Sequence, residues 1–176
     1  EQIDRLRDGT LDVGLVRDEF PRVGANSPEL IAEVVFEERL VLCVPVTHPL
    51  ATHSEVTAEQ ALDVPMIAYP HSLMPGYVDR VHEVLGITPG AMRIAEEVVH
   101  QETALGFVAA GVGASILPES VRQVVPPSIA VIPLAGSPTT RLLAARQVRA
   151  DDSAICAAFI ECLHDAAEAL SAARPA

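Results

Sequence analysis

The sequence predicts an α/β protein of two lobes, in which mixed sheets are flanked by helices. One observation is a pattern that occurs twice, a helix, a glycine and then a buried strand, at Gly9 and again at Gly111. A second is that helical and strand-like apolar periods alternate along the chain. A third is a late strand, Arg141–Arg146, that can return the chain to the first lobe. Together they predict two similar lobes joined by two crossovers.

The chain is expected to leave lobe one and to return to it. We place the crossovers near Glu37–Val41 and Ala135–Thr140, so that lobe one comprises residues 1–38 and 138–176 and lobe two residues 39–137. Lobe one opens inside a helix, although an α/β lobe normally begins with a strand. We therefore expect an upstream strand and the start of this helix to be missing from the chain.

Local signals place the elements of lobe one. Glycine is the usual residue just past a helix end, so Gly9 is expected to end the opening helix. The last helix has Asp151 or Asp152 as its cap and an apolar stripe of period 3.6. That stripe consists of Ile155, Phe159, Cys162, Leu163, Ala166 and Leu170. The predicted elements are a helix at residues 1–8, strands at Leu11–Arg17, Leu30–Phe36 and Arg141–Arg146, a loop at Phe20–Pro28 and a helix at Ser153–Leu170.

Lobe two carries clearer helix signals. Thr57 is followed three residues later by Gln60, the spacing of a capping box. Gly86 is expected to end the helix that begins at Pro75 or Gly76. The predicted elements are strands at Leu40–Val46, Pro65–Tyr69, Met92–Val99, Ala114–Leu117 and Ile129–Leu134, and helices at Thr57–Leu62, Pro75–Leu85 and Gln101–Ala110.

The charge balance excludes several classes of function. The 176 residues include 24 Asp and Glu against 12 basic residues, which gives a net charge of −12. Nucleic acid requires a basic face, so this chain is not expected to hold DNA by itself. Apolar residues make up 49%, which suits a substantial core. No apolar run reaches the roughly 18 residues of a membrane span, and the charged N-terminus does not resemble a signal peptide.

Catalytic and metal-binding motifs are not found. Three cysteines, Cys43, Cys156 and Cys162, have neither disulfide nor metal-ligand spacing, so they are interpreted as structural and the expected compartment is a reducing cytoplasm. A nucleophile elbow, a phosphate loop and a His-Glu-x-x-His motif are all missing from the sequence. Gly111 and Gly113 precede a strand, whereas the glycines of a dinucleotide fingerprint precede a helix. The sequence therefore predicts no enzyme, no cofactor and no metal.

Two strand-to-helix junctions of lobe two, Tyr69–Tyr77 and Val99–Thr103, point to a ligand. A helix N-terminus carries unpaired N–H groups and a partial positive charge, so it attracts anions. In open α/β sheets such junctions lie at the carboxyl ends of the strands, where ligands bind. Arg17 ends a strand of lobe one and is expected to face the same edge. The pattern predicts a small anionic ligand between the lobes. Ordinary capped junctions beside a solvated arginine are the alternative.

Three stretches resemble the effector-binding domain of LysR-type bacterial transcription regulators. They are LRDGTLDVG at Leu6–Gly14, ERLVL through HPLA at Glu38–Ala51, and ETALGFVAAGVG through LP at Glu102–Pro118. The resemblance covers essentially the whole chain and implies a fold like type 2 periplasmic binding proteins, with the first strand of lobe one missing. It also implies a metabolite effector between the lobes and an upstream winged helix-turn-helix domain, through which alone the protein would contact DNA.

The resemblance is strongest to the subgroup that senses muconate and related acids of aromatic catabolism. It implies that the helix-start segment of Pro75, Gly76 and Tyr77 forms part of the effector site and that backbone N–H groups of this segment hold a carboxylate, although the position of Gly76 is typically polar in that subgroup. His100 and Thr103, at the neighbouring helix start, are expected to complete the lobe-two site. Because the position of His100 is acidic in that subgroup, a different acid is expected here.

Two further expectations concern response and assembly. Arg17 and Glu38 match a charged pair tied to effector response, so they are expected to act at the hinge rather than to bind the ligand. The family resemblance implies a homodimer or tetramer, in which the first helix of lobe one packs on helix Gly76–Leu85 of a partner. Residues 1–8 retain only part of that first helix, so the dimer of this chain is expected to be weakened.

Three functional classes remain open at this point. An effector domain of a transcription regulator fits the motifs best. A solute-binding protein of a transporter would share the architecture and would carry a signal peptide or lipoprotein cysteine upstream. An enzyme on this fold is the least supported class, because no acid–base or nucleophile set converges.

Overall fold

The computed structural model describes residues 2–18, 28–150 and 153–172, which form two compact units. Unit 1 takes both ends of the chain, Glu1–Glu37 and Arg141–Ala176, and unit 2 takes the middle, Glu38–Thr140. The predicted lobe boundaries differ at both crossovers. Glu38 and residues 138–140, which the sequence assigned to lobe one, belong to unit 2.

Hydrogen bonds explain why these residues belong to unit 2. The Glu38 carboxylate accepts a hydrogen bond from the backbone N–H of Ser120 at 2.7 Å. The N–H of Leu40 donates to the carbonyl of Pro138 at 2.7 Å, and the Arg80 guanidinium donates to the carbonyl of Thr139 at 2.8 Å. These bonds join residues far apart in the sequence, so local patterns gave no indication of them.

The helices and strands follow the predicted order. In unit 1 they are α1 (Gln2–Arg7), β1 (Val13–Arg17) and, near the end of the chain, α5 (Ala154–Ala172). In unit 2 they are α2 (Ala58–Leu62), β3 (Met66–Ala68), α3 (Pro75–Leu85), β4 (Ile94–Glu97), α4 (Gln101–Ala109), β5 (Ser115–Pro118) and β6 (Ile129–Pro133). Two strands, β2 (Leu30–Pro45) and β7 (Thr139–Gln147), contribute residues to both units.

β2 is one strand of 16 residues, although two strands separated near Glu37–Arg39 were predicted. Its charged middle does not interrupt the strand because the residues alternate in burial. Glu37 and Arg39 are exposed, whereas Glu38 and Leu40 are buried. A period of two is the side-chain period of a strand, so a charged residue on the solvent side is compatible with it.

Unit 1 contains an antiparallel pair of strands covered by helices. β1 pairs with β7 from Val13 opposite Arg146 to Arg17 opposite Leu142, and β7 in turn neighbours β2. Leu6 of α1 is fully buried in the same cluster as Leu143. The predicted loop Phe20–Pro28 lies outside the described residues, except for its last residue.

The apolar stripe predicted for α5 is wrong in its orientation. Ile155 is 83% exposed and Phe159 46% exposed, whereas Cys156 and Ile160 are buried. Ile160 packs in a cluster with Ala144 of β7. Because the helix is rich in alanine, more than one of its faces shows an apolar period of 3.6. Packing on the sheet buries the face that is displaced by one residue from the predicted stripe. The proposed caps Asp151 and Asp152 lie outside the described residues.

Unit 2 combines antiparallel pairing around β2 with a separate parallel pair of strands, and the two faces of β2 join different apolar clusters. β5 and β6 both pair antiparallel with β2, and β3 pairs parallel with β4. Along β2, Leu40, Leu42 and Val44 join one apolar cluster, which includes the inward residues of α3. Val41 and Cys43 join the other, which includes those of α4. The near-continuous apolar run of β2 is thus explained by burial on both faces.

The predicted capping box at Thr57 is confirmed. The Thr57 hydroxyl accepts from the N–H of Gln60 at 3.3 Å, and the Gln60 side chain accepts from the N–H of Thr57 at 2.9 Å. We expect Thr57→Ala to lower the free energy of unfolding by about 1 kcal/mol, because the hydroxyl that accepts from the N–H of Gln60 is lost. Urea unfolding of the variant checks this value, with Thr57→Ser as the matched control that keeps the cap. Equal stability of Thr57→Ala and the parent chain would contradict it.

Candidate ligand site

The two predicted helix starts of unit 2 follow neighbouring parallel strands. Ala68, the last residue of β3, lies opposite Glu97, the last residue of β4, and the N–H of Val98 donates to the carbonyl of Ala68 at 2.9 Å. The segments that lead into α3 and α4 therefore leave the sheet from adjacent strand ends. This is the edge of a parallel sheet at which ligands of open α/β folds bind.

Helix α3 begins without a side-chain cap from any described residue. Its N-cap residue is Met74, and Pro75 is the first helical residue, where a missing N–H is harmless. Pro75 is half-buried, whereas Gly76 and Tyr77 are buried. The first turn contains no acidic residue among those described, and a helix N-terminus carries a partial positive charge.

The side chain of Tyr77 fixes this first turn in the core. Its hydroxyl donates to the carbonyl of Ile116 at 3.0 Å, and its ring meets that of Tyr69 edge-on at a centroid distance of 5.6 Å. The ring and hydroxyl of Tyr77 are therefore engaged in the core. Only its backbone can bind the carboxylate, as predicted for this residue.

Helix α4 also begins without a side-chain cap among the described residues. His100 is its N-cap residue with extended backbone, and both His100 and Thr103 are exposed. Glu102 lies in the same first turn. Its carboxylate opposes an anion at this end, so α3 is the more favourable of the two helix starts.

The two residues expected at the hinge lie in different units. Arg17, in unit 1, is the last residue of β1, and the following Asp18 has a positive φ of 49° and accepts from the N–H of Arg141 at 3.1 Å. Glu38, in unit 2, is only 2% exposed. Asp18 and Arg141 thus pair at the end of the β1–β7 ladder, a contact that the sequence did not indicate because the two residues are far apart in the chain.

Sequence reasoning did not anticipate a cavity of about 350 Å³ within unit 2. Residues of β3, α3 and β4 line it together with the turn that precedes β4. The only sequence signal was the clustering of small and flexible apolar residues around Gly90 and Met92. Cavity shape depends on contacts between distant segments, which a residue pattern does not specify.

The remaining chemistry of the described residues is structural. Burial raises the pKa of the Cys43 thiol to about 12, so this cysteine is not a nucleophile near neutral pH. No set of three His, Cys, Asp or Glu side chains in the described segments is arranged to hold a metal ion. In the same segments, no helix is both long and apolar enough to cross a bilayer.

Comparison with known proteins gives a consistent family. Residues 1–168 match the family described as the LysR substrate binding domain. The chain is 33% identical over 127 residues to the probable cat1 operon transcriptional activator of Acinetobacter lwoffii, covering 70% of this chain and 39% of that protein. It is 31% identical over 123 residues to the HTH-type transcriptional regulator CatR of Pseudomonas putida, covering 70% and 40%. The chain thus spans about two fifths of the length of these relatives.

Solved structures show the same fold. A probable LysR family regulator domain from Rhodococcus sp. RHA1 superposes with a TM-score of 0.72 at 25% identity, covering 91% of this chain and 77% of that one. A full-length BenM mutant gives 0.78 at 23% identity, with coverages of 99% and 57%. The effector binding domain of QuiR, in complex with shikimate, gives 0.72 at 20% identity, with coverages of 95% and 77%. The fold of these domains is the type 2 periplasmic-binding-protein-like fold that the sequence predicts, and this chain belongs to the LysR family of transcriptional regulators as its substrate-binding domain.

Proposed function

We propose that this domain senses a small carboxylate metabolite and so controls transcription through a separate N-terminal DNA-binding domain. The observation that carries the proposal is the pair of uncapped helix starts, among the described residues, at the ends of adjacent strands. The backbone N–H groups of Gly76 and Tyr77 are the proposed carboxylate donors, and His100 and Thr103 are proposed to contact the rest of the ligand.

Charge-assisted hydrogen bonds supply most of the proposed affinity. The helix dipole contributes only about 0.3–1 kcal/mol at an exposed terminus and up to about 2 kcal/mol where it is partly buried. Hydrogen bonds to an ionised acceptor are roughly twice as strong as neutral ones. A carboxylate is therefore favoured over the uncharged form of the same molecule. Shikimate, which the QuiR structure holds, is a carboxylate and supports this ligand class.

The wider assembly is part of the same proposal. A homodimer or tetramer, DNA binding through the N-terminal domain alone, a non-enzymatic role and a cytoplasmic location all follow from a LysR-type regulator. Arg17 and Glu38 are proposed to transmit the response rather than to contact the effector. The match to a regulator family over residues 1–168 favours this function over a transporter's solute-binding protein.

Calorimetric titration with shikimate and with cis,cis-muconate tests the ligand class. We expect at least one acid to bind, and its methyl ester to bind roughly tenfold more weakly because the ionised acceptor is lost. Gly76→Pro removes one N–H donor from a first helical turn, where proline is tolerated. It is expected to lower the affinity for the acid by a similar factor.

The matched control is Ala58→Pro, which places proline in the first turn of α2, away from the proposed site. It is expected to leave the affinity for the acid unchanged. Thermal unfolding of both variants confirms that they fold. Tighter binding of the ester than of the acid, or an unchanged affinity in folded Gly76→Pro, would show that the carboxylate does not bind at this helix start.

A further inference from the structure

We propose that the cavity within unit 2 is a second small-molecule site, which takes a single apolar ring bearing one hydrogen-bond donor. This ligand differs in class from the carboxylate proposed above, and the site differs in position. Of the residues proposed to bind the carboxylate, only Tyr77 lines the cavity. Gly76, His100 and Thr103 are not part of its lining.

The volume and the lining define the body of the ligand. The cavity measures about 350 Å³, near the lower end of the roughly 300–1,000 Å³ that ligand pockets occupy. Met66, Val81, Met92 and Ile116 contribute apolar surface, and all four are buried. A cavity of about 150 Å³ already holds benzene, so this volume accommodates a six-membered ring together with a substituent. The two methionines can adjust their conformation to the ring, because the Met side chain is unbranched and flexible.

The polar groups of the lining define the single functional group. His71 is paired with Asp79 at 2.9 Å, and the Tyr77 hydroxyl donates to Ile116. Glu97 lines the cavity and is exposed, and we place its carboxylate at the solvent-facing side of the lining. An ionised carboxylate only accepts hydrogen bonds, so the matching ligand group is a donor.

A second polar group of the lining, and the charge of Glu97, agree with this assignment. Nδ1 of His82, another lining residue, is buried and has no hydrogen-bond partner among the described residues. An imidazole can donate or accept, so it tolerates a hydroxyl but does not select one. The negative charge of Glu97 repels a second carboxylate, which separates this site from the effector site by charge as well as by place.

The chain carries its own reporter for this cavity. It contains two tyrosines and no tryptophan, and both Tyr69 and Tyr77 line the cavity. Tyrosine emission from the 176-residue chain therefore reports directly on occupancy. Cyclohexanol is the probe because it has a ring and one O–H and does not absorb where tyrosine does. Cyclohexyl methyl ether keeps the ring and the oxygen without a donor, and cyclohexanecarboxylate replaces the donor with an anion.

We expect cyclohexanol to change the emission saturably, the ether to bind roughly two- to tenfold more weakly, and the carboxylate to give no saturable change. Glu97→Leu is expected to lower the affinity for cyclohexanol by the same two- to tenfold and to leave the affinity for the ether unchanged. Glu96→Leu is the matched control, since Glu96 is the preceding exposed residue of β4 and does not line the cavity. Val78→Phe, which fills the cavity, is expected to abolish the response.

Three outcomes would overturn the proposal. One is no saturable response to cyclohexanol. Another is equal binding of alcohol and ether, or equal losses in the Glu97 and Glu96 variants, since the assigned donor contact would then be absent. The third is an apparent affinity that falls as the protein concentration rises, which would show that a second copy of the chain fills the cavity. None of these results bears on the carboxylate titration, which is measured separately.

Discussion

Gly113→Ala is expected to lower the free energy of unfolding by about 3 kcal/mol, through steric overlap and the loss of a buried hydrogen bond. A Cβ at position 113 would lie 2.4 Å from the carbonyl oxygen of Pro65, and 3.1 Å from its carbon. That oxygen accepts from the N–H of Ala114 at 2.8 Å, which joins β3 to the start of β5. Because the obstacle is backbone rather than a flexible side chain, relief requires the two strands to separate.

Thermal and urea unfolding measure this effect. For a chain of this length, about 3 kcal/mol corresponds to a decrease in Tm of roughly 6–12 °C. The matched control is Gly106→Ala in α4, where a Cβ meets no atom within 4 Å. That substitution is expected to raise stability by about 0.5–1 kcal/mol, because alanine loses less backbone entropy in a helix. A Gly113→Ala protein as stable as the parent would show that the close approach to Pro65 is not maintained in solution.

The role of Gly113 shows where sequence reasoning ends. Its neighbourhood, Gly111 to Gly113, was weighed as a dinucleotide fingerprint and set aside because a strand follows it. The local order of helix, glycines and strand is enough to exclude that fingerprint. The actual requirement for a glycine arises from Pro65, which is far away in the chain. A single sequence contains no signal for such a contact.

The same distinction applies to the other elements. The capping box at Thr57 and the end of α3 at Gly86 were predicted correctly because each depends on residues within one turn. The orientation of α5 was predicted wrongly because an alanine-rich helix satisfies the helical period on more than one face. Its burial is decided by Ala144 and the rest of unit 1.

The candidate sites divide in the same way. The change from a strand-like to a helical residue pattern predicted the helix starts at Pro75 and at Gln101. The parallel pairing of β3 with β4 places these two starts after neighbouring strand ends. The cavity beside α3 was not visible, because it is lined by four separate stretches of the chain. Its lining includes both tyrosines, although the sequence indicated them only as the two ends of a strand-to-helix junction and indicated Tyr77 as a carboxylate-binding residue.

Glu38 illustrates a residue whose expected role and observed contact differ. The family resemblance assigned it to effector response at the hinge. The structure shows its carboxylate buried and accepting from the N–H of Ser120 at 2.7 Å, at the start of the short 3-10 helix Glu119–Gln123. A carboxylate at that position satisfies a helix N–H that has no partner within the helix itself. Glu38 therefore has a structural role, whatever its part in signalling.

Glu38→Leu is expected to lower the free energy of unfolding by about 2–3 kcal/mol, because a similar volume remains but the charge-assisted acceptor is lost and a partly buried N–H is left unpaired. Glu38→Gln keeps an acceptor in the same place and is expected to cost less than about 1 kcal/mol. Glu37→Leu, at the neighbouring exposed position of β2, is the control and is expected to change stability by about 0.5 kcal/mol at most.

Comparing the same variants by urea unfolding and by acid titration separates the two roles of Glu38. If the residue acts only as an acceptor for Ser120, Glu38→Gln retains both stability and the affinity for the acid. If its charge also takes part in the response, Glu38→Gln retains stability but changes the affinity, because a ligand that prefers one conformation binds more weakly when that conformation is less populated. A Glu38→Leu chain as stable as Glu37→Leu would refute the structural role, since the N–H of Ser120 would then have no need of this carboxylate.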